Sequence, residues 1–100
     1  MKLLQVDFRT VGPFGAEMSE RLIGLAESIA REPGLIWKIW TENADTGEAG
    51  GIYCFQDEAS LMAYWRMHEV RIKEAGITNP RVRTFDINVP LSRIDRAPGI

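Results

Sequence analysis

The sequence predicts an α+β fold, in which a four-stranded antiparallel sheet carries two helices on one face. Two observations predict it. Apolar residues alternate with polar ones or cluster among β-forming residues in four segments, and they recur every three or four residues in two others. The order of these segments is strand, helix, strand, strand, helix, strand. The length of 100 residues predicts a single domain over residues 1–100.

The first strand is predicted over Lys2–Arg9, where every second side chain is apolar. A turn over Thr10–Gly15 follows, and its proline suits the approach to a helix. The apolar spacing then becomes helical over about Ala16–Arg31. The pair Pro33-Gly34 ends that helix.

The middle of the chain is predicted to form a hairpin. Leu35–Glu42 is rich in β-branched and aromatic residues, which favour a strand. Asn43–Gly47 has the composition of a turn, and Glu48–Gln56 forms the third strand. The Gly50-Gly51 pair indicates a bulge or a close backbone approach in that strand.

A second helix is predicted from a cap at Asp57 to about Ala75, with Gly76 in the left-handed position that closes it. Arg81–Val89 is the fourth strand, which Pro90 ends, and residues 91–100 form a polar tail. This order is the split βαβ, or ferredoxin-like, arrangement. Its right-handed crossovers place both helices on the same face of the sheet.

Two helices cover only one face, so the side chains of the other face are informative. Alternation places the large apolar side chains Ile36, Trp40, Tyr53 and Phe55 on the uncovered face, with Lys38 among them. Such a group predicts a homodimer packed sheet to sheet, and the alternative is an ordinary exposed face with a few aromatic residues. A bulge at Gly50-Gly51 would exchange Tyr53 and Phe55 for Ile52 and Cys54.

Composition narrows the classes of partner and cofactor. The net charge is −2 and no basic block occurs, so no nucleic acid is expected. No apolar stretch is long enough for a membrane span or a signal peptide, so we expect a cytoplasmic location. One cysteine, Cys54, and one histidine, His68, predict neither a disulfide within the chain nor a metal site. No phosphate-binding glycine motif is present, and no cofactor is predicted.

His68 is the candidate catalytic residue. It follows Tyr64 by four residues and Trp65 by three, so a helix places the three side chains on one side. An imidazole there can act as a general base near neutral pH or donate a hydrogen bond to an oxyanion. The alternative is a buried structural histidine.

Aromatic residues are plentiful for a chain of this length and suit a flat aromatic ligand. The predicted substrate pocket lies between the sheet and the helices, and its walls are Phe8, Trp37, Tyr64 and Trp65. The alternative is that these side chains only fill the core. Cys54, in an apolar strand with no basic neighbour in sequence, is predicted to be an inert core thiol.

Several segments together resemble a known family. They are Gly12-Pro13-Phe14-Gly15, Glu32-Pro33-Gly34 with Trp37–Glu42, Glu48–Tyr53, and Phe85–Asn88 with Pro90-Leu91-Ser92. The chain resembles the YdhR-type mono-oxygenases, which are related to antibiotic-biosynthesis monooxygenases that oxidise aromatic polyketides without metal, flavin or haem. The resemblance implies a ferredoxin-like fold, a dimeric α/β barrel and a cofactor-independent oxygenase.

Three functions are therefore open. The first is a cofactor-independent mono-oxygenase that acts on a small aromatic or quinol-type substrate. The second is a dimer that binds small molecules without catalysis, or a stress-linked accessory protein. The third is a haem-binding or haem-degrading protein with His68 as the axial ligand.

Overall fold

The predicted order of strands and helices is confirmed. A computed structural model describes residues 1–100, and its elements are β1 (Lys2–Arg9), α1 (Gly15–Ala30), β2 (Leu35–Asn43), β3 (Glu48–Phe55), α2 (Glu58–Glu74), β4 (Arg81–Asp86) and α3 (Val89–Ile94). The sheet order is β2-β3-β1-β4, and each neighbouring pair is antiparallel. This is the ferredoxin-like fold.

Local sequence signals set the ends of α2. Asp57 caps the helix, because its Oδ1 accepts the backbone N–H of Ser60 at 2.8 Å. Gly76 follows the last turn with φ +85°, a conformation that a residue with a Cβ adopts at a cost. Both capping predictions are confirmed.

The C-terminal part of the chain differs from the prediction. β4 ends at Asp86 rather than Val89, and residues 89–94 form a short helix that was not predicted. Asn88 caps this helix, because its Oδ1 accepts the backbone N–H of Leu91 at 3.2 Å. Pro90 lies in the first turn, where a helix tolerates proline, so it helps to start α3 besides ending a strand.

The bulge lies in β2 rather than at the glycine pair. Gly50 and Gly51 pair with Asp7 and Val6 of β1 in unbroken register. The register between β2 and β3 shifts instead at Ile36, which lies between the paired residues Leu35 and Trp37. Every β2 side chain beyond Ile36 is therefore turned to the face opposite to the predicted one.

The predicted membership of the uncovered face was wrong for three residues. Tyr53 lies opposite Leu4 in β1, on the helix-covered face, and Trp40 lies opposite Gly51 on that face. Tyr53 and Phe55 are fully buried in the core beneath the helices. Ile36, at the bulge, lies against Gly99 of the C-terminal segment.

The uncovered face instead carries a different apolar set. Register places these side chains there: Leu3, Trp37, Ile39, Ile52, Cys54 and Phe85. Ile39 is 51% exposed and Phe85 is 39% exposed, whereas Cys54 is fully buried. The C-terminal segment covers part of this face, because Trp37 Nε1 donates to Pro98 O. The face is thus apolar, as the sequence predicts, but with other residues.

The core lies between the helix-covered face of the sheet and the two long helices. Its buried members are Leu4, Val6, Ile29, Tyr53, Phe55, Leu61, Tyr64 and Ile72. None of the helices has the length and the apolar content that crossing a bilayer requires.

Candidate functional site

A cavity of about 390 Å³ lies on the helix-covered face of the sheet. Most of its wall is apolar and includes Phe8, Leu22, Leu25 and Trp40. The turn at Gly12-Pro13 forms part of its edge. Its size is within the range that small-molecule sites occupy, and its walls have the apolar character of such sites.

Four polar side chains lie together in this cavity: Lys38, Tyr53, His68 and Arg71. Lys38 of β2 is directly opposite Tyr53 of β3 in the register of the sheet. His68 and Arg71 are three residues apart in α2, so they project from the same side of that helix. The sheet register and the helical period therefore bring the four groups together.

A chain of hydrogen bonds fixes the tautomer of His68. Arg71 Nε donates to His68 Nδ1 at 3.3 Å, and a guanidinium group has no acceptor. Nδ1 is therefore unprotonated, and the ring proton lies on Nε2, which is 3.4 Å from the Tyr53 hydroxyl oxygen. Tyr64 also donates to that oxygen, at 3.2 Å. Because the Tyr53 oxygen accepts from two donors, its own hydrogen remains to donate.

Burial and charge keep His68 neutral. The side chain is 7% exposed. Desolvation, with the positive charges of Lys38 and Arg71, lowers the pKa of His68 from 6.5 to about 4. Desolvation also raises the pKa of Tyr53 and of Tyr64. At neutral pH the network consists of one guanidinium and three neutral rings, so His68 serves as a hydrogen-bond relay.

Lys38 is the titratable group of the site near neutral pH. Its Nζ lies 3.3 Å from the ring centroid of Trp40 and 4.6 Å from that of Tyr53. Desolvation first, and then the charge of Arg71, lowers the pKa of Lys38 from 10.5 to about 7. Both the ammonium and the amine form are therefore populated at neutral pH.

Gly51 makes room for Lys38. A Cβ on this glycine would lie 2.6 Å from Lys38 Cε and 3.2 Å from a Tyr53 ring carbon. The residue is itself buried in the sheet. A glycine here thus lets the lysine stem cross the sheet surface to reach the cavity.

The charges around the cavity are all positive. Arg21, Lys38 and Arg71 line it, and no carboxylate does. Arg21 pairs with Glu17, and the other two ion pairs of the chain involve neither Lys38 nor Arg71. Two cationic groups in this cavity therefore have no carboxylate partner in the chain.

The residues predicted for the site fall into three groups. His68 and Phe8 line the cavity. Tyr64 and Trp65 lie behind it: Tyr64 bonds to Tyr53, and the Trp65 ring meets the edge of His68 at 6.3 Å between centroids. Trp37 does not reach it, because it lies on the uncovered face, where its Nε1 donates to Pro98 O at 2.8 Å. The bulge at Ile36 turned Trp37 away from the helices.

Sequence reasoning missed Lys38, Tyr53 and Arg71. Arg71 had a usable signal, because it stands one helical turn after His68. Lys38 had none, because its face depends on the bulge in β2. Tyr53 had none, because β3 carries large apolar residues on both faces and alternation does not decide between them. No group of three or more His, Cys, Asp and Glu side chains comes together in the structure, and Cys54 is a buried free thiol.

The fold has counterparts among solved structures. A structure described as a putative antibiotic biosynthesis monooxygenase from Deinococcus radiodurans has a TM-score of 0.66 and 11% identity, covering 88% of this chain and 93% of that one. A protein of unknown function from Nitrosomonas europaea has a TM-score of 0.67 and 15% identity, covering 87% and 88%.

A mutant of SnoaB, a cofactor-independent oxygenase from Streptomyces nogalater, has a TM-score of 0.59 and 16% identity, covering 87% of this chain and 93% of that one. No curated protein sequence matches the chain. The family described as "Putative mono-oxygenase ydhR" matches residues 3–98. The chain therefore belongs to the YdhR mono-oxygenase family.

Proposed function

We propose that the protein is a cofactor-independent mono-oxygenase that acts on a small hydroxylated aromatic or quinol-type molecule bound in the cavity. The observation that carries this proposal is Lys38, an amine with a pKa of about 7 in an apolar cavity with no carboxylate. Family membership and the likeness to solved structures of oxygenases support the reaction class.

A substrate that reacts with O₂ without a cofactor must supply the electrons itself, and a phenolate does so far more readily than a phenol. Lys38 in its amine form takes the proton from the substrate hydroxyl, and the resulting ammonium stabilises the phenolate. The Tyr53 O–H, left to donate by the two bonds that its oxygen accepts, provides a second donor for that oxyanion. Apolar walls strengthen both interactions because they exclude water.

The reaction balances without a further reductant. The phenolate passes one electron to O₂, and the resulting radical pair combines to form a carbon–oxygen bond at a ring carbon that bears hydrogen. That carbon then loses its proton, the O–O bond breaks, and water leaves. Overall, a hydroxyarene and O₂ give a quinone and water, with one oxygen atom of O₂ in each product. Lys38 carries the proton between these steps.

His68 acts through Tyr53 in this proposal. Its lowered pKa makes His68 a poor base at neutral pH, so we assign the general base to Lys38 instead. Phe8 and Trp40 bind the ring of the substrate, while Tyr64 and Trp65 hold Tyr53 and His68 in place. Both ring nitrogens of His68 are engaged within the chain, which speaks against haem ligation.

Oxygen consumption tests the proposal. The metal-chelated, flavin-free protein is incubated with a panel of naphthols and hydroquinones under ¹⁸O₂, and the products are analysed by mass spectrometry. We expect one ¹⁸O atom per quinone formed and a loss of at least 10-fold in rate for Lys38→Met. Lys73→Met, at an exposed position of α2, should leave the rate unchanged. Ligand-induced stabilisation with no oxygen uptake on any substrate would instead establish the non-catalytic binding protein.

The proposal includes a homodimer through the uncovered face of the sheet. Ile39, Phe85 and Trp37 form an apolar surface there, and Asp7 lies within 3.9 Å of Arg81 beside it. A second copy related by a two-fold axis presents the same surface and matches its apolar centre. The resemblance to dimeric barrels points to the same partner.

Light scattering after gel filtration tests the dimer. We expect a mass of twice 11.3 kDa for the wild type and 11.3 kDa for Ile39→Lys. Ile23→Lys is the matched control, because Ile23 is 55% exposed on α1, away from the sheet, and Ile39 is 51% exposed. A wild-type particle of 11.3 kDa at micromolar concentration excludes this assembly.

A further inference from the structure

We propose that the substrate carries an acidic group that is ionised at neutral pH, a carboxylate on the aromatic ring, and that Arg71 binds this carboxylate. This inference rests on the proposed function, because it names the chemical class of the molecule that the same cavity takes. It follows from the charges that line the cavity and from the hydrogen bonds that Arg71 makes.

The hydrogen bonding of Arg71 is incomplete within the chain. A guanidinium group has five N–H donors, and the one on Nε donates to His68. Nη2 is enclosed and has no acceptor in the chain. Donors of a half-buried guanidinium gain most from a charged acceptor with two oxygens, because the two groups match in geometry.

Charge points to the same class of ligand. Buried cations in proteins are ordinarily paired, yet Lys38 and Arg71 share one cavity with no carboxylate. An anionic ligand relieves the repulsion between them, whereas a neutral one of the same shape does not. A ligand with two acidic oxygens engages both: an ionisable hydroxyl at Lys38 and a carboxylate at Arg71.

The apolar part of the cavity wall indicates the shape of the rest of the ligand. Phe8 and Ile72 offer a wall for a flat hydrocarbon, and Trp40, whose ring face Lys38 covers, borders it. The cavity of about 390 Å³ accommodates an aromatic system of two fused rings. The substrate class is therefore a hydroxyaryl carboxylate.

Binding without turnover tests this class separately from the oxygenase activity. Under anaerobic conditions, the wild type is titrated by calorimetry with 1-hydroxy-2-naphthoate and with its methyl ester, which has the same ring and hydroxyl but no charge. We expect the acid to bind at least 10-fold more tightly. Arg71→Met should reduce this preference to less than 3-fold, and Arg71→Lys should retain part of it. Arg66→Met, which removes an exposed charge of the same helix, should leave the preference unchanged.

The outcomes separate the two proposals. Equal binding of acid and ester to the wild type, or the same loss for Arg66→Met as for Arg71→Met, overturns the carboxylate site, whether or not a neutral hydroquinone is oxidised. Tight, Arg71-dependent binding of the acid without oxygen uptake upholds the site and overturns the oxygenase. Should Arg71→Met fail to fold, the comparison of acid and ester on the wild type decides alone.

Discussion

The side chain of Arg71 donates from Nε to His68 Nδ1 at 3.3 Å, and this hydrogen bond determines which nitrogen of the imidazole bears the proton. Through His68, hydrogen bonds thereby link Arg71, near the end of α2, to Tyr53 on the sheet. His68, the candidate general base predicted from the sequence, is neutral and connects Arg71 to Tyr53 by hydrogen bonds. The group that titrates near neutral pH is the lysine on the opposite side of the same tyrosine.

The first prediction concerns the protonation of His68. Since desolvation and two neighbouring cations lower its pKa to about 4, the ring should stay neutral from pH 5.5 to 8. The chain has one histidine, so its NMR signals need no assignment by mutation. We expect no titration in that range and ¹⁵N shifts typical of the Nε2–H tautomer. A midpoint near 6.5 would contradict the hydrogen-bond chain described above.

The same shift predicts how stability depends on pH. The folded pKa of His68 lies below its unfolded value, so the unfolded chain binds the proton first as the pH falls. The contribution of neutral His68 is therefore complete above about pH 6.5 and is lost as the pH falls toward about 4. Urea unfolding of the wild type and of His68→Gln should show the wild type losing more stability across this window.

The second prediction is that Lys38→Met stabilises the fold while it removes activity. A desolvated, unpaired ammonium destabilises the folded state, and a methionine of similar length packs in its place. We expect a gain of about 1 kcal/mol at pH 6, equivalent to about 4–8 °C in Tm for a domain of this size. A gain of stability with loss of activity is the usual signature of a functional group.

The pH dependence of that gain provides the control. The folded pKa of Lys38 is about 7 and its ordinary value is 10.5, so between them the unfolded chain binds the extra proton. The wild type therefore becomes more stable relative to Lys38→Met as the pH rises from about 7 toward 10.5. Lys73→Met, which is exposed, should show no such trend. A pH-independent difference would mean that Lys38 is solvated.

The fold was predictable from the sequence, but only part of the candidate site was. The helices and β1 have one apolar side each, so their periodicity identifies the side that faces the core. β2 and β3 have large apolar residues on both sides, as in Ile36-Trp37 and Tyr53-Cys54, and alternation there carries no information. In β2 a one-residue bulge then decides the face, and in β3 the pairing with β1 decides it.

Lys38 shows the consequence for function. The alternation of side chains predicted that Lys38 lies with Trp40 on the uncovered face of the sheet, where water would hydrate its charge. The bulge turned both side chains toward the helices, which converted an ordinary surface lysine into a desolvated amine. The location of His68 was predictable because it depends only on the period of α2.

The third prediction concerns Gly51. A methyl group there would meet Lys38 Cε at 2.6 Å, so Gly51→Ala should displace the lysine stem from its position over Trp40. We expect the oxidation rate to fall by at least 10-fold. Gly24→Ala is the matched control, because nothing lies within 4 Å of the added methyl group in α1. That change should stabilise the helix by roughly 0.5–1 kcal/mol with no effect on activity.

The fourth prediction compares the two tyrosine hydroxyls. The Tyr53 oxygen accepts from Tyr64 and lies 3.4 Å from His68 Nε2, so Tyr53→Phe leaves two buried donors without an acceptor. Each unsatisfied buried donor costs about 1–3 kcal/mol. Tyr64→Phe removes one donor and leaves the Tyr53–His68 contact intact. We therefore expect Tyr53→Phe to destabilise the protein by at least about 1 kcal/mol more than Tyr64→Phe does.

Activity should separate the two variants further. In the proposed reaction, Tyr53→Phe removes the hydroxyl that donates to the substrate oxyanion, a loss typically worth about 10²–10³ in rate for a donor of this kind. Tyr64 lies behind Tyr53 and outside the cavity wall, so Tyr64→Phe should change the rate by less than 10-fold. The measurements are urea unfolding and oxygen consumption at pH 8 on the same preparations. If the two changes had equal effects on stability and on rate, the hydroxyls would contribute only to packing. No chain of directed hydrogen bonds would then run from Arg71 to the cavity.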